Sequence, residues 1–267
     1  MSISEPRHLT GDSIRRVVVG DQQTGFFTDW VLADDEASFV NVFAVPPGAG
    51  RHLAPQHSYV SRSDQVLYVL DGEMVLADPA TGEVHRVTAG QATFLRPGTW
   101  HKLINLGEIT LRGLEFVFPP QGTGQPTPEA PPSPRWARDD LLGRWPAGRE
   151  TVQESITVLR EADLLWRMEG ADSPLLVGLL VSTEHATVGK LHCAAGQRTD
   201  VQRRGADTVI YLESGRLHVE LAASGRFFEL APGEGVQLPA GTDHRLFNPG
   251  LDRAVGLFSV AGDYLPR

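Results

Sequence analysis

The stretch from Gly90 to Asn105, GQATFLRPGTWHKLIN, recurs far downstream as Gly233 to Asn248, GEGVQLPAGTDHRLFN. His101 and His244 stand 143 residues apart (244 − 101), and the same offset relates Gly72 to Gly215, Tyr68 to Tyr211 and Asn105 to Asn248. So many positions in one register mean one structural unit used twice, so the two halves share a fold. A chain of 267 residues leaves each half enough length to bury a core of its own.

Each copy reads as strand, turn, strand: an alternating apolar run, a Pro/Gly pair that reverses the chain, and a His opening the next strand. Upstream, RRVVV, GFFTDWVLA and SFVNVFAV are β-rich runs broken by Gly and acidic clusters, and QVLYVLDG, EMVLAD, EVHRV and ATFLRP follow at hairpin spacing. Such regular short strands predict an all-β chain of two tandem barrels with six to eight strands each, and a few short helices. PPQGTGQPTPEAPPSP, after LRGLEFVF, is too rich in Pro and Gly for a helix or a central strand. The expected division is a first barrel over 1–118, a Pro-rich linker with a short helical segment over 119–149, and a second barrel over 150–267. Leu and Trp recur at helical spacing in ARDDLLGRW and VLREADLLWRM, which predicts helical patches there.

Composition removes several classes of function. The net charge is −9 and no Lys/Arg run occurs, so the chain is not built to neutralise nucleic-acid phosphates or an anionic membrane surface. Cys193 is the single cysteine, which excludes an intrachain disulfide and a Cys-based zinc cage, and it reads as a small buried hydrophobe. MSISEPRHLTGDSIRR has no apolar core of a signal peptide, and no stretch approaches the roughly 20 apolar residues that cross a bilayer. A cytoplasmic protein is expected, with a small-molecule substrate as its partner and a homodimer as its default assembly.

The repeated segment resembles the second conserved motif of the cupin superfamily, G-x5-P-x-G-x2-H-x3-N. Gly233, Pro239, Gly241, His244 and Asn248 fit it residue for residue. Gly90, Pro97, Gly98, His101 and Asn105 fit it with six residues before the Pro and none between Pro and Gly. The resemblance implies two cupin (double-stranded β-helix, or jelly-roll) barrels. It also implies metal ligands from the family's other motif, P-G-x5-H-x-H-x3,4-E-x6-G. With Gly72 fixing the register, that motif places His57 and Tyr59 at its two His positions and Gln65 at its Glu position. The implied metal set is His57, Gln65 and His101 around a divalent metal ion (iron, manganese, nickel, zinc or copper). The family's carboxylate and one imidazole are replaced by a neutral amide and a phenol. Asp64, by strand alternation, faces away from Gln65. In the second half the offset gives Asp200, Gln202 and Thr208 at the corresponding positions, so Asp200, Gln202 and His244 form a secondary pocket beside Arg203 and Arg204, suited to an anionic or hydroxylated group. His85, His185, His192 and His218 have no motif around them and read as structural; Tyr68 and Tyr211 read as packing residues with polar tips.

Three functions follow. The first is a metal-dependent enzyme acting on a small oxygenated molecule, such as a sugar or polyketide, by Lewis-acid and acid–base chemistry, as an isomerase, cyclase or lyase. His57, His101 and Tyr59 would be its catalytic residues, with Tyr59 as acid or base. The second is an iron- or copper-dependent dioxygenase, and the third a metal-free protein that binds a sugar or metabolite in the barrel.

Overall fold

The computed structural model describes residues 3–22, 25–51, 58–120, 139, 142–143 and 155–266. Before the Pro-rich segment run β1 Arg7–Leu9, β2 Arg15–Asp21, β3 Gly25–Asp34, β4 Phe39–Val45, β5 Tyr59–Val60 and β6 Asp64–Asp71. β7 Glu73–Ala77, β8 Val84–Thr88, β9 Ala92–Leu95, β10 Trp100–Ile104 and β11 Leu111–Phe118 complete that half. The other half holds β12 Ile156–Leu159, β13 Leu165–Glu169, β14 Leu175–Ser182, β15 Thr187–Cys193 and β16 Thr208–Ser214. It ends with β17 Leu217–Leu221, β18 Phe227–Leu230, β19 Gly235–Leu238, β20 His244–Phe247 and β21 Ala254–Val260. The fold is all-β, and no helix among the described residues is long and apolar enough to cross a membrane.

Each unit is a jelly roll of two antiparallel sheets. In the first, a seven-stranded sheet in the order β12-β9-β6-β11-β4-β3-β2 faces a four-stranded sheet β5-β10-β7-β8. In the second, β1-β19-β16-β21-β15-β14-β13 faces β18-β17-β20. Position by position the large sheets correspond, which is the sequence repeat made visible. One exchange crosses between them: β1, from the extreme N-terminal part, pairs with β19 of the second unit, whereas β12 pairs with β9 of the first. Among the described residues the units thus hold eleven (7 + 4) and ten (7 + 3) strands. The sequence predicts fewer because pieces as short as β5, two residues long, leave no readable apolar run.

Strand alternation sends alternate residues of the large sheets to opposite sides. On β6, Leu67 and Val69 join the core inside the first barrel, with Phe43, Val45, Met74, Leu95 and Ile156. Val66 and Tyr68 of the same strand face outward into a second core shared by both units, with Val42, Leu114 and Phe116 on one side and Val188, Val209, Tyr211 and Leu257 on the other. The strands of the large sheets are apolar on both faces because both faces are covered. Polar pairs lock the seam: the Tyr68 hydroxyl donates to Glu213 (3.1 Å), the Thr183 hydroxyl to Asp64 (2.7 Å) and the Gln237 amide to Asp35 (2.9 Å). Asp64 therefore does face away from Gln65, and the two tyrosines pack at the seam.

The helical expectation for VLREADLLWRM is corrected here. That segment is the end of β12, a single 3-10 turn at Glu161–Asp163, and β13. Backbone pairing with β9 and β14 overrides the Leu and Trp spacing. ARDDLLGRW lies largely outside the described residues. Ile156, fully buried in the first barrel's core, should report this arrangement: Ile156→Ala is expected to cost about 2–5 kcal/mol of stability, read from urea unfolding.

Candidate active site in the first barrel

The recurring Pro/Gly turn places one His in each barrel. Gly98 and Gly241 take left-handed backbone conformations (φ +90° and +73°) that residues with a Cβ avoid. Their N–H groups donate to the carbonyls of Ser61 (2.7 Å) and Arg204 (2.9 Å), equivalent positions of the two units. The chain then reverses, and His101 and His244 point inward, both buried. The motif's Asn is structural. The Asn105 amide donates to the carbonyls of Val45 and Ile109, as the Asn248 amide does to those of Cys193 and Asp252. Burial holds both imidazoles at a pKa of about 4, so each is neutral at physiological pH.

The barrels differ in what surrounds that His. The first encloses a cavity of about 550 Å³, lined by His101, Gln65, Tyr59, Ser61, Asp29 and Glu115 among walls of Phe27, Phe39, Phe43, Leu67, Leu103 and Val117. Gln65 points into the lumen from β6, and its Nε2 donates to Glu115 Oε1 at 2.6 Å. Glu115 sits opposite Gln65's end of the sheet on β11, directly across from Asn41 of β4. Burial lifts the Glu115 carboxyl to about 7 against the pull of the Gln65 hydrogen bond. The Asp29 charge adds to the rise and the Asn41 amide opposes it. Burial also raises Asp29, again against Asn41. Asn41 thus stands close to both carboxyls. Yet it is only 1% exposed, and neither polar atom of its amide meets hydrogen-bond geometry with any group.

Tyr59 pairs across from His101 on the neighbouring strand, with ring centroids 6.4 Å apart, but it is 54% exposed and sits at the rim. Burial of its hydroxyl end and the charge of Asp21 raise its pKa, so the phenol stays protonated and can donate but not act as a base near neutral pH. His57 lies outside the described residues. Among the described residues no three His, Cys, Asp or Glu side chains come together as a cluster for a metal ion. With the Gln65 amide nitrogen turned to Glu115, the described donors do not by themselves fit the ligand set that the family implies.

The second lumen has about 10 Å³ of space, room for at most one water. Side chains fill it: Arg204 donates to Glu169 (2.7 Å) and to Gln202 (3.1 Å), Tyr264 donates to Glu169 (2.7 Å), and the Arg204 guanidinium lies 4.4 Å from the Tyr264 ring centre. Gln202 and His244 line this space together. Asp200, grouped with them by sequence, is turned away. Its carboxylate accepts the backbone N–H groups of Ala171, Asp172 and Ser173 and fixes that loop, which keeps its pKa low. The arginines are also committed, Arg204 to Glu169 and Arg203 to Asp243 (2.6 Å), so neither waits for an anionic ligand. Cys193 is buried in β15 with its thiol pushed up to about 11 by burial.

Sequence reasoning missed Asp29, Asn41 and Glu115. Each is the polar residue at the centre of an apolar strand, in GFFTDWVLA, SFVNVFAV and LRGLEFVF, which is the mark of a side chain aimed into a lumen.

Two jelly rolls in tandem, each presenting the His of the G…P…G…H…N turn to its lumen, define a two-barrel cupin architecture. Residues 41–117, within the first barrel, match the model of the cupin domain, so that segment is a cupin domain. No curated protein matches it in sequence. Among solved structures it is similar to AerE from Microcystis aeruginosa (TM-score 0.60, 10% identity, covering 96% of this chain and 97% of that one). It is also similar to YlbA from E. coli (TM-score 0.66, 11% identity, 97% and 93%). A mutant of Bacillus subtilis oxalate decarboxylase OxdC gives a TM-score of 0.66 at 14% identity, covering 98% of this chain and 78% of that one. These likenesses are of the fold alone.

Proposed function

We propose that the first barrel is the active site of an enzyme performing acid–base chemistry on a small oxygenated molecule, as an isomerase, cyclase or lyase. The observation that carries this is the contrast between the lumens: about 550 Å³ of apolar-walled space with Gln65, Glu115 and His101 on its lining, against about 10 Å³ packed with side chains. Glu115 moves the proton, since a carboxyl near 7 is populated in both states at working pH. Gln65 holds its orientation through the 2.6 Å hydrogen bond. His101 offers a neutral imidazole, and Tyr59 a hydroxyl donor at the rim.

The family resemblance brings a divalent metal ion into this reading, with His57 and His101 as its imidazole ligands. Such an ion would polarise a substrate carbonyl. The roles above are derived without it, because the described donors form no three-ligand cluster. The second barrel serves as scaffold.

A screen of enolisable hydroxy-carbonyl compounds, run with and without O₂ and with metal analysis of chelator-free protein, tests the proposal. Turnover unchanged by removing O₂ is the expected result. Turnover that stops in anaerobic buffer would transfer the site to the dioxygenases, and saturable binding without turnover to the metabolite-binding proteins.

A further inference from the structure

We infer, taking the first lumen as a ligand site, that its ligand is an uncharged, largely apolar molecule bearing a hydroxyl or carbonyl group, and that carboxylates of the same shape are excluded. The walls set the apolar part: Phe27, Phe39 and Phe43 contribute three aromatic faces to one cavity. Its polar groups set the charge. Asp29 and Glu115 enter the lumen from strands on either side of β4, and a third carboxylate on the lining, Asp34, is already paired with Arg15 at 2.6 Å.

No cation is among the groups acting on Asp29 or Glu115; burial and amides act on both, and the Asp29 charge on Glu115. Lys102 also lines the cavity, but it is not among the groups acting on either carboxyl. His101 is neutral. In the metal-free protein a carboxylate ligand would therefore meet carboxyl groups in a low-dielectric space with no opposite charge among the described residues acting on them, where like charges a few ångströms apart repel strongly.

Asn41 points independently to a polar ligand. It is buried on the same side of β4 as Phe39 and Phe43, its amide nitrogen acting on both carboxyls without closing a well-formed hydrogen bond to either and its amide oxygen without a donor. A group that is both donor and acceptor, such as a hydroxyl held between the two carboxyls, would draw them into a fixed arrangement that completes Asn41's hydrogen bonds.

The test uses isosteric probes and needs no knowledge of the substrate. 2-Naphthylmethanol, 2-naphthoate and 2-naphthylmethylammonium are titrated into the whole protein by calorimetry near pH 7.5. The alcohol should bind, and the naphthoate should bind more weakly by about tenfold or more. In Asp29→Asn, and separately in Glu115→Gln, that discrimination should shrink to within about threefold. Naphthoate binding the unaltered protein as well as the alcohol overturns the inference while leaving the lumen a ligand site. An ammonium probe tenfold tighter than the alcohol overturns the uncharged class. Discrimination that persists in both folded variants overturns the assignment to these carboxyls. If none of the three probes binds, the reading of the first lumen as a ligand site falls, and the inference with it.

Discussion

Glu115→Gln should lower turnover by about 10²–10⁴-fold while leaving the fold in place, since the change is isosteric and removes only the capacity to exchange a proton. An amide at 115 keeps a hydrogen-bonding group beside Gln65. The same variant has a signature in stability. The folded-state pKa of Glu115 is about 7, above the ordinary carboxyl value of 4.5, so the folded protein binds more protons than the unfolded chain between those values. The contribution of this group is fully present below about pH 4.5 and is lost as pH rises through about 7. His101 and His244 run the other way. Their folded pKa of about 4 lies below the ordinary imidazole value of 6.5, so they add stability as pH rises from 4 towards 6.5. The difference between the variant and the unaltered protein isolates Glu115. Urea unfolding at a series of pH values should show the unaltered protein losing stability relative to Glu115→Gln between about pH 4.5 and 7. Parallel curves would mean that Glu115 titrates as an ordinary surface carboxyl.

Arg204→Ala should be among the most damaging changes to stability, with little effect on chemistry in the first lumen. The Arg204 and Glu169 side chains are 9% and 8% exposed and 2.7 Å apart. Removing the guanidinium leaves the Glu169 carboxylate with only Tyr264 and the half-exposed Arg167 at 3.2 Å, which offsets part of the about 3–5 kcal/mol that an uncompensated buried charge costs. A double replacement, Arg204→Met with Glu169→Leu, should recover much of that loss, because apolar groups of similar volume need no partner. Chemical denaturation of the three variants measures both effects. A mild Arg204→Ala would mean that Arg167 alone suffices to hold the Glu169 charge.

The repeat, the all-β class and the tandem barrels were legible because they rest on local signals: a fixed offset, alternation, and Pro/Gly turns. The placing of His101 and His244 was legible for the same reason, since Gly98 and Gly241 dictate where the next residues point. What was not legible depends on which strands become neighbours. Glu115 reaches Gln65 only because β11 pairs with β6 in one register, 50 residues apart, and nothing local marks that pairing. Asp200 misleads for a related reason. The repeat places it where a ligand belongs, but an adjacent loop with three free N–H groups takes its carboxylate. The same holds for the arginines, whose acidic partners Glu169 and Asp243 lie 35 and 40 positions away.

The reciprocal placing of β1 and β12 has a consequence for how the molecule is made. As the chain leaves the ribosome, the first barrel cannot close the open edge at β9 until residues 156–159 have emerged, well past the Pro-rich segment. Residues 7–9, synthesised first, must wait for 235–237 before they find a partner. A fragment ending in the Pro-rich segment would carry an orphan β1 and a bare β9, and its complement an orphan β12 and a bare β19, each a template for adhesion to other chains. Separately expressed halves should therefore aggregate alone and become soluble when produced together, behaving as two parts of one cooperative body despite the repeat that divides them.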